Sequence, residues 1–372
     1  MLKFTTIIYM FVLSGFFLIS GSFASSPEDI TSEKDSASLK KKGFIFIPAV
    51  FYTPETKIAG GASALFYFRN SGSASDKRPS TINPTVIYTQ RKQMILQLTW
   101  ELYMKNGLYR LNGNAVYMKY PDKFYGIGPN TIQSMEESFT PRNAIVQIIL
   151  RRKLMESIYA GVLYHFQDTK LQEIDPDGAL AQKLIPGSSG GTVSGTGVMF
   201  DWDNRDNIFY STSGGYFEFV AAFARKAIGS DFIFNQYNLD LRHFISITNA
   251  QVLAIQGYAS LLNGNVPFQS MSKVGGASLL RGYYEGRYRD KNLAMIQAEY
   301  RFMPWQRFGF TAFAGLGDVS DRISHFELDR LKYSVGGGFR YVFNPEEKLN
   351  LRVDLAYGKN TSGLYLTIGE AF

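Results

Sequence analysis

Residues Asn292 to Phe302 read as a strand with two opposed faces. Leu293, Met295, Gln297, Glu299 and Arg301 fall on one side, and Ala294, Ile296, Ala298, Tyr300 and Phe302 on the other, because successive strand side chains point to opposite faces. A strand with charges on one side and aromatics on the other separates a watery space from an oily one. The alternation recurs elsewhere. Tyr109, Leu111, Ala115 and Tyr117 point outward with Arg110, Asn112 and Asn114 inward; Leu349, Leu351, Val353 and Leu355 point outward with Asn350, Arg352 and Asp354 inward. A chain built this way folds as an all-β, transmembrane antiparallel barrel.

Candidate strands lie at 44–53, 57–69, 81–91, 93–104, 107–119, 139–152, 155–167, 192–204, 214–226, 231–246 and 249–262, then at 292–302, 306–318, 331–343, 348–357 and 362–372. That makes about 16, an even number as bacterial outer-membrane barrels prefer. Short turns near Leu154, Thr248, Pro304 and Pro345 alternate with long connections at 120–138, 167–191, 263–291 and 319–330. Outer-membrane barrels place short turns in the periplasm and longer loops outside. With the N-terminus periplasmic, every long loop falls on the outer face.

Composition agrees. Phe, Tyr and Trp make up 15% of the chain, yet its mean hydropathy is slightly negative. Residues 1–24 read as a secretory signal, with Lys3, an apolar run from Thr6 to Ser20 and a small-x-small site at Ser22-Phe23-Ala24. Residues 25–42 are polar and aperiodic, a flexible periplasmic tail, and 43–372 form the barrel. A folded domain needs roughly 50 residues, so the tail leaves no room for a periplasmic domain ahead of the first strand signal at Phe44. No cysteine is present, which excludes disulfides, thiolate chemistry and a lipoprotein anchor. The net charge of +7 is scattered over strands and loops. It suits anionic lipid and lipopolysaccharide rather than nucleic acid.

Signals for enzymatic chemistry are thin, and the chain reads as a non-enzyme with no cofactor or metal. Gly187-Ser188-Ser189-Gly190-Gly191 matches G-x-S-x-G, but that motif works on a strand-to-helix elbow and here no helix follows. His165, His243 and His325 stand at no metal-ligand spacing. Asp203, Arg205 and Asp206 read as an ion-paired periplasmic turn.

Five elements in order resemble the outer-membrane assembly-factor superfamily, the BamA/TamA-like bacterial surface antigens. Phe124-Tyr125-Gly126-Ile127-Gly128 is similar to its aromatic-Gly-Ile-Gly element. Asp203-Asn204-Arg205-Asp206-Asn207 resembles its Asp-x-Arg-Asp-Asn turn, with Ser211 where a proline is usual. Arg281-Gly282-Tyr283 resembles its loop signature. Gly336-x-Gly338-Phe339-Arg340 with Leu351-Arg352-Val353-Asp354 resembles the final strands, and Phe372 the terminal aromatic read as an assembly signal. The resemblance implies that the long loop between strands 11 and 12 folds into the lumen and that Arg281 meets an inner-wall acid, Glu299. The family's second acid, in Phe-x-Asp-x-Gly, is absent from Phe313-Ala314-Gly315-Leu316-Gly317, and Asp318 falls on the opposite face. The anchor therefore rests on Glu299 alone or recruits another acid. The resemblance further implies an outer-membrane protein of a Gram-negative bacterium that moves or inserts protein or lipid. It would use the barrel-assembly machinery for its own insertion, with a periplasmic or membrane partner for clients. A passive pore plugged by its own loop is the alternative, and an outer-membrane hydrolase a third.

Overall fold

The computed structural model describes residues 42–68, 80–105, 107–345 and 348–372. The expected signal and nearly all of the expected tail lie outside the described residues. Sixteen long strands follow one another antiparallel: β1 (Lys42–Thr53), β2 (Lys57–Phe68), β3 (Ser80–Thr89), β4 (Met94–Met104), β5 (Tyr109–Lys119), β6 (Glu137–Met155), β7 (Ile158–Ile174) and β8 (Gly191–Asp203). They continue as β9 (Gly214–Ala224), β10 (Phe234–Thr248), β11 (Gln251–Gly264), β12 (Asn292–Phe302), β13 (Phe308–Ser320), β14 (Lys332–Asn344), β15 (Leu349–Gly358) and β16 (Thr361–Ile368). Each pairs with its sequence neighbours, and β16 returns to β1, closing the barrel.

The two faces separate as the alternation demands. On β12, Leu293, Met295, Gln297, Glu299 and Arg301 are buried in the interior while Ile296 and Tyr300 are exposed. Outward-facing apolar side chains are bare, with Val50 at 68% and Phe46 at 58% exposure. A continuous apolar belt of this kind suits lipid, not water. No helix of the described residues is long and apolar enough to cross a membrane; the strands do so, because a closed barrel satisfies its backbone groups internally.

Closure is uneven. β1 pairs with β2 along its whole length, from Lys42↔Phe68 to Thr53↔Lys57. Among the described residues it pairs with β16 in register only at Tyr52↔Leu366. That junction is a seam.

Three expectations are corrected. β6 and β7 run well past their expected ends, so the connection between β7 and β8 covers only 175–190. The last strand stops at Ile368, not at 372. Gly369 turns it with a left-handed backbone (φ 79°) and its N–H donates to Asn350 O at 2.8 Å. Glu370 and Phe372 are thereby buried inside, Phe372 against Phe244 and Ala254. Leu349, expected outward, is fully buried beside a register shift between Val342 and Asn344. Over the long-loop end, Phe124, Leu180, Phe232, Val266, Phe268 and Met271 pack into an apolar cap.

A closed barrel of this kind keeps its shape in mild detergent. Unheated protein should migrate differently on gels from boiled protein, and circular dichroism should show strand; a helical spectrum would contradict the fold.

Candidate functional site: a lumen loop held by buried charges

Residues 265–291 connect β11 to β12 and fold inward. Their root is a short hairpin, Ser272–Val274 paired with Tyr288–Asp290, and beyond it residues 275–287 reach the interior wall. Leu280 (φ 49°) and Gly282 (φ 105°) both take left-handed backbone. For Leu280 that costs of order 1 kcal/mol, tolerable because the side chain is fully buried. Gly282 is constrained by space as well: a Cβ there would lie 3.0–3.2 Å from backbone atoms of Ala356, Tyr357 and Gly358 on β15. The loop lies directly on the strand.

Arg281 is the pivot. Its Nη2 lies 2.7 Å from Glu299 Oε2 on β12, and its Nη1 donates to Asp354 Oδ2 on β15. Its guanidinium carbon stacks 3.4 Å from the centre of the Phe313 ring, adding a cation–π contact. Glu299 and Asp354 are themselves shared. Arg301 Nε lies 2.8 Å from Glu299 Oε1, and Arg340 Nη1 lies 2.6 Å from Asp354 Oδ1. Arg340 Nε reaches Glu370 Oε2 at 2.8 Å, and Arg352 Nε lies 3.5 Å from Asp354 Oδ2. Every one of these side chains is at most 3% exposed. Tyr283 completes the docking: its hydroxyl donates to Tyr333 O at 2.9 Å and accepts from Lys359 N at 2.8 Å.

Asp354 occupies the role left open by the missing acid. A Cβ at Gly315 would stand 2.8 Å from Leu280 Cδ2, so the loop's own leucine fills the space above it. Asp318 is engaged elsewhere, with Lys332 Nζ at 2.7 Å. Asp354 was legible as an inward residue of β15; what the sequence does not show is that the loop crosses to β15. Arg301, Arg340 and Glu370 were not singled out as members of this network: the inward parity of Arg301 and Arg340 could not rank them, and Glu370 has outward parity until Gly369 turns the chain.

The turn motif lies at the other end of the barrel, between β8 and β9. Arg205 Nε donates to Asp203 Oδ1 at 2.8 Å and Nη2 to Oδ2 at 2.7 Å, with the guanidinium 4.7 Å from the Tyr216 ring centre. Asp206 accepts from Thr212 N at 2.8 Å, Thr212 Oγ1 at 2.6 Å and Ser213 N at 3.1 Å. Burial works against ionisation of Asp206, but these bonds and Lys348 outweigh it and hold the carboxyl below its ordinary range. The turn touches the charge network through Ser211, whose carbonyl accepts from Arg301 Nη1 at 3.3 Å. Arg301 Nη2 also donates to Phe372 O at 3.0 Å. Thus Arg281, Gly282, Tyr283, Glu299 and Phe372 share one buried network, and Asp203, Arg205 and Asp206 form a separate brace beside it. Ser189 precedes strand β8 rather than a helix, and His165, His243 and His325 belong to separate elements.

Comparison with known proteins agrees with this geometry. Residues 146–372 match the Omp85 superfamily domain, and the chain belongs to that superfamily. No curated protein sequence matches it. Among solved structures, BamA from Haemophilus ducreyi lacking POTRA domains 1–3 superposes with a TM-score of 0.63 at 12% identity, covering 88% of this chain and 70% of that one. CdiB from Acinetobacter baumannii gives 0.58 at 13% identity, over 89% of this chain and 60% of that one. CdiB from Escherichia coli gives 0.56 at 10% identity, over 88% and 62%. At such identities the likeness is one of fold.

Removing one member of a fully buried pair costs about 3–5 kcal/mol, an upper bound here because the remaining arginines still hold the acids. Arg281→Ala, Glu299→Ala and Asp354→Ala should each expose residues 275–287 to protease, and the Arg281/Asp354 double mutant should cost less than the sum of its singles. Additive losses would reduce Arg281 to an isolated charge. Gly315→Asp, which restores the usual acid, should loosen the loop further by displacing Leu280; tighter protease protection would contradict the packing described here.

Proposed function

We propose that this chain is a gated barrel of outer-membrane biogenesis in a Gram-negative bacterium, inserting or moving protein or lipid. One observation carries the reading: the barrel is closed between β1 and β16 by a single registered pair, Tyr52↔Leu366, while every other strand junction is laddered. A wall built that way opens sideways at one place. Membership of the Omp85 superfamily supports a role in biogenesis or transport. Outer-membrane lipid and lipopolysaccharide are its surroundings, and a periplasmic or membrane partner that delivers clients is part of the proposal. The barrel-assembly machinery would insert the chain itself, reading Phe372 before that residue is buried in the lumen. The proposal assigns the barrel no catalysis. Among the described residues no group of three His, Cys, Asp or Glu could hold a metal, and the serine of the G-x-S-x-G match has no helix behind it.

The absence of cysteine makes the test clean. Tyr52→Cys with Leu366→Cys should form a disulfide across the seam on oxidation, since paired strand residues fall within disulfide reach. Locked cells should resemble a deletion strain in the surface levels of other outer-membrane proteins and in lipid asymmetry, and reductant should restore them. Full activity with the seam locked, together with steady conductance in planar bilayers, would favour a loop-plugged pore.

A further inference from the structure

The two edges of the seam share one registered pair, yet both are tied to one stretch of the lumen loop, Gly282–Glu285. On the β16 side, Gly282 N donates to Tyr365 Oη at 2.9 Å, and Thr361 Oγ1 donates to Gly282 O at 2.9 Å. Lys359 N, in the turn before β16, donates to Tyr283 Oη at 2.8 Å. On the β1 side, Glu285 N donates at 2.9 Å to Oε1 of Glu55, in the turn between β1 and β2. That turn is itself fixed, with Gln93 Nε2 donating to Glu55 O at 3.1 Å and Thr56 N to Thr53 Oγ1 at 3.2 Å. The loop thus bridges the seam beside its one registered pair, Tyr52↔Leu366.

Glu55 is the weak point of the bridge. Its side chain is buried, and among the described residues no lysine or arginine forms an ion pair with it. Facing it are the Glu285 carboxylate and Tyr284 of the loop, Tyr365 of β16, and Tyr120 after β5. Asp122 adds negative charge beside both Tyr120 and Tyr284, and Arg91 in the turn between β3 and β4 acts on those two tyrosines. Lys273 and Arg289 of the loop's hairpin act on Glu285 as well.

We propose that residues Gly282–Glu285 are a strap across the seam, fastened to β16 through Gly282 and Tyr283 and to the first hairpin through Glu55, and that ionisation of Glu55 releases it. Burial above all raises the Glu55 carboxyl; the hydrogen bond from Glu285 N lowers it and the Glu285 charge raises it again, leaving it pushed up to about 7 from 4.5. The direction of the effect follows by linkage. A carboxyl raised in the fastened state favours that state fully below its released value of 4.5. The preference declines as pH rises and is gone above about 7. Acid fastens the strap; neutral to alkaline solution frees it.

The test uses the full chain in lipid nanodiscs, with spin labels at Ile58→Cys and Asn360→Cys on the two sides of the seam. Pulsed-dipolar distances should be short and narrow at about pH 5 and longer and broader at about pH 8.5, as a group titrating between them requires. Glu55→Gln keeps the acceptor oxygen and removes the charge, so its distances should stay narrow at both values. Tyr283→Phe, which loses the hydroxyl bonds to Lys359 and Tyr333, should be broad at both. Unchanged distances in the unmutated barrel, the same pH response in Glu55→Gln, or a narrow Tyr283→Phe would each overturn the strap. The inference rests on the seam as the place of opening. The labels report strand separation whether or not cells require it, so its failure is distinct from failure of the seam-lock assay.

Discussion

Arg281 is held between carboxylates of β12 and β15, strands with two others between them in the wall. Everything about the lumen loop depends on that span. Burying an ion costs several kcal/mol unless its partners are close and well aligned. Here four guanidiniums, at 281, 301, 340 and 352, share three carboxylates, at 299, 354 and 370. No member has a partner to itself. The network is favourable when complete and poor when partial, so the loop has one seat rather than a range of them.

The seat is shaped as much by what is missing as by charge. Gly315 and Gly317 on β13 leave room for Leu280, and Gly358 on β15 leaves room for the Tyr283 ring, whose atoms would lie 2.4–2.9 Å from a Cβ there. Small residues let the loop approach the wall closely enough for Arg281 to bridge it. An acid at 315 would occupy the place of the leucine. The chain keeps two acids around the arginine but draws the second from another strand.

Much of this was legible beforehand. Period-two alternation located all sixteen strands and put Glu299, Arg352 and Asp354 on the inner face, because lipid on one side and polar space on the other leave register no freedom. Arg281 stood out through the Arg281-Gly282-Tyr283 signature. The path of the loop across β13 and β14 was not legible, since it depends on contacts between residues far apart in the chain, such as Arg281 and Asp354, 73 positions from each other. The fate of the last residues was hidden for a related reason. Glu370 is a charge at the end of an apolar strand, and once the backbone turns at Gly369 it meets Arg340 and Asn350 inside.

The seam has a consequence for the bilayer around it. Among the described residues β1 and β16 share one registered pair, Tyr52↔Leu366, and any backbone group left unpaired in hydrocarbon costs several kcal/mol. Lipids beside that stretch lower the cost by thinning or admitting water, at fractions of a kcal/mol per ångström of deformation. The barrel therefore has a soft side and a hard side toward its membrane. Acyl-chain length and headgroup packing act on the gap between these two strands more than on any other part of the wall, which makes membrane thickness itself an input to the protein.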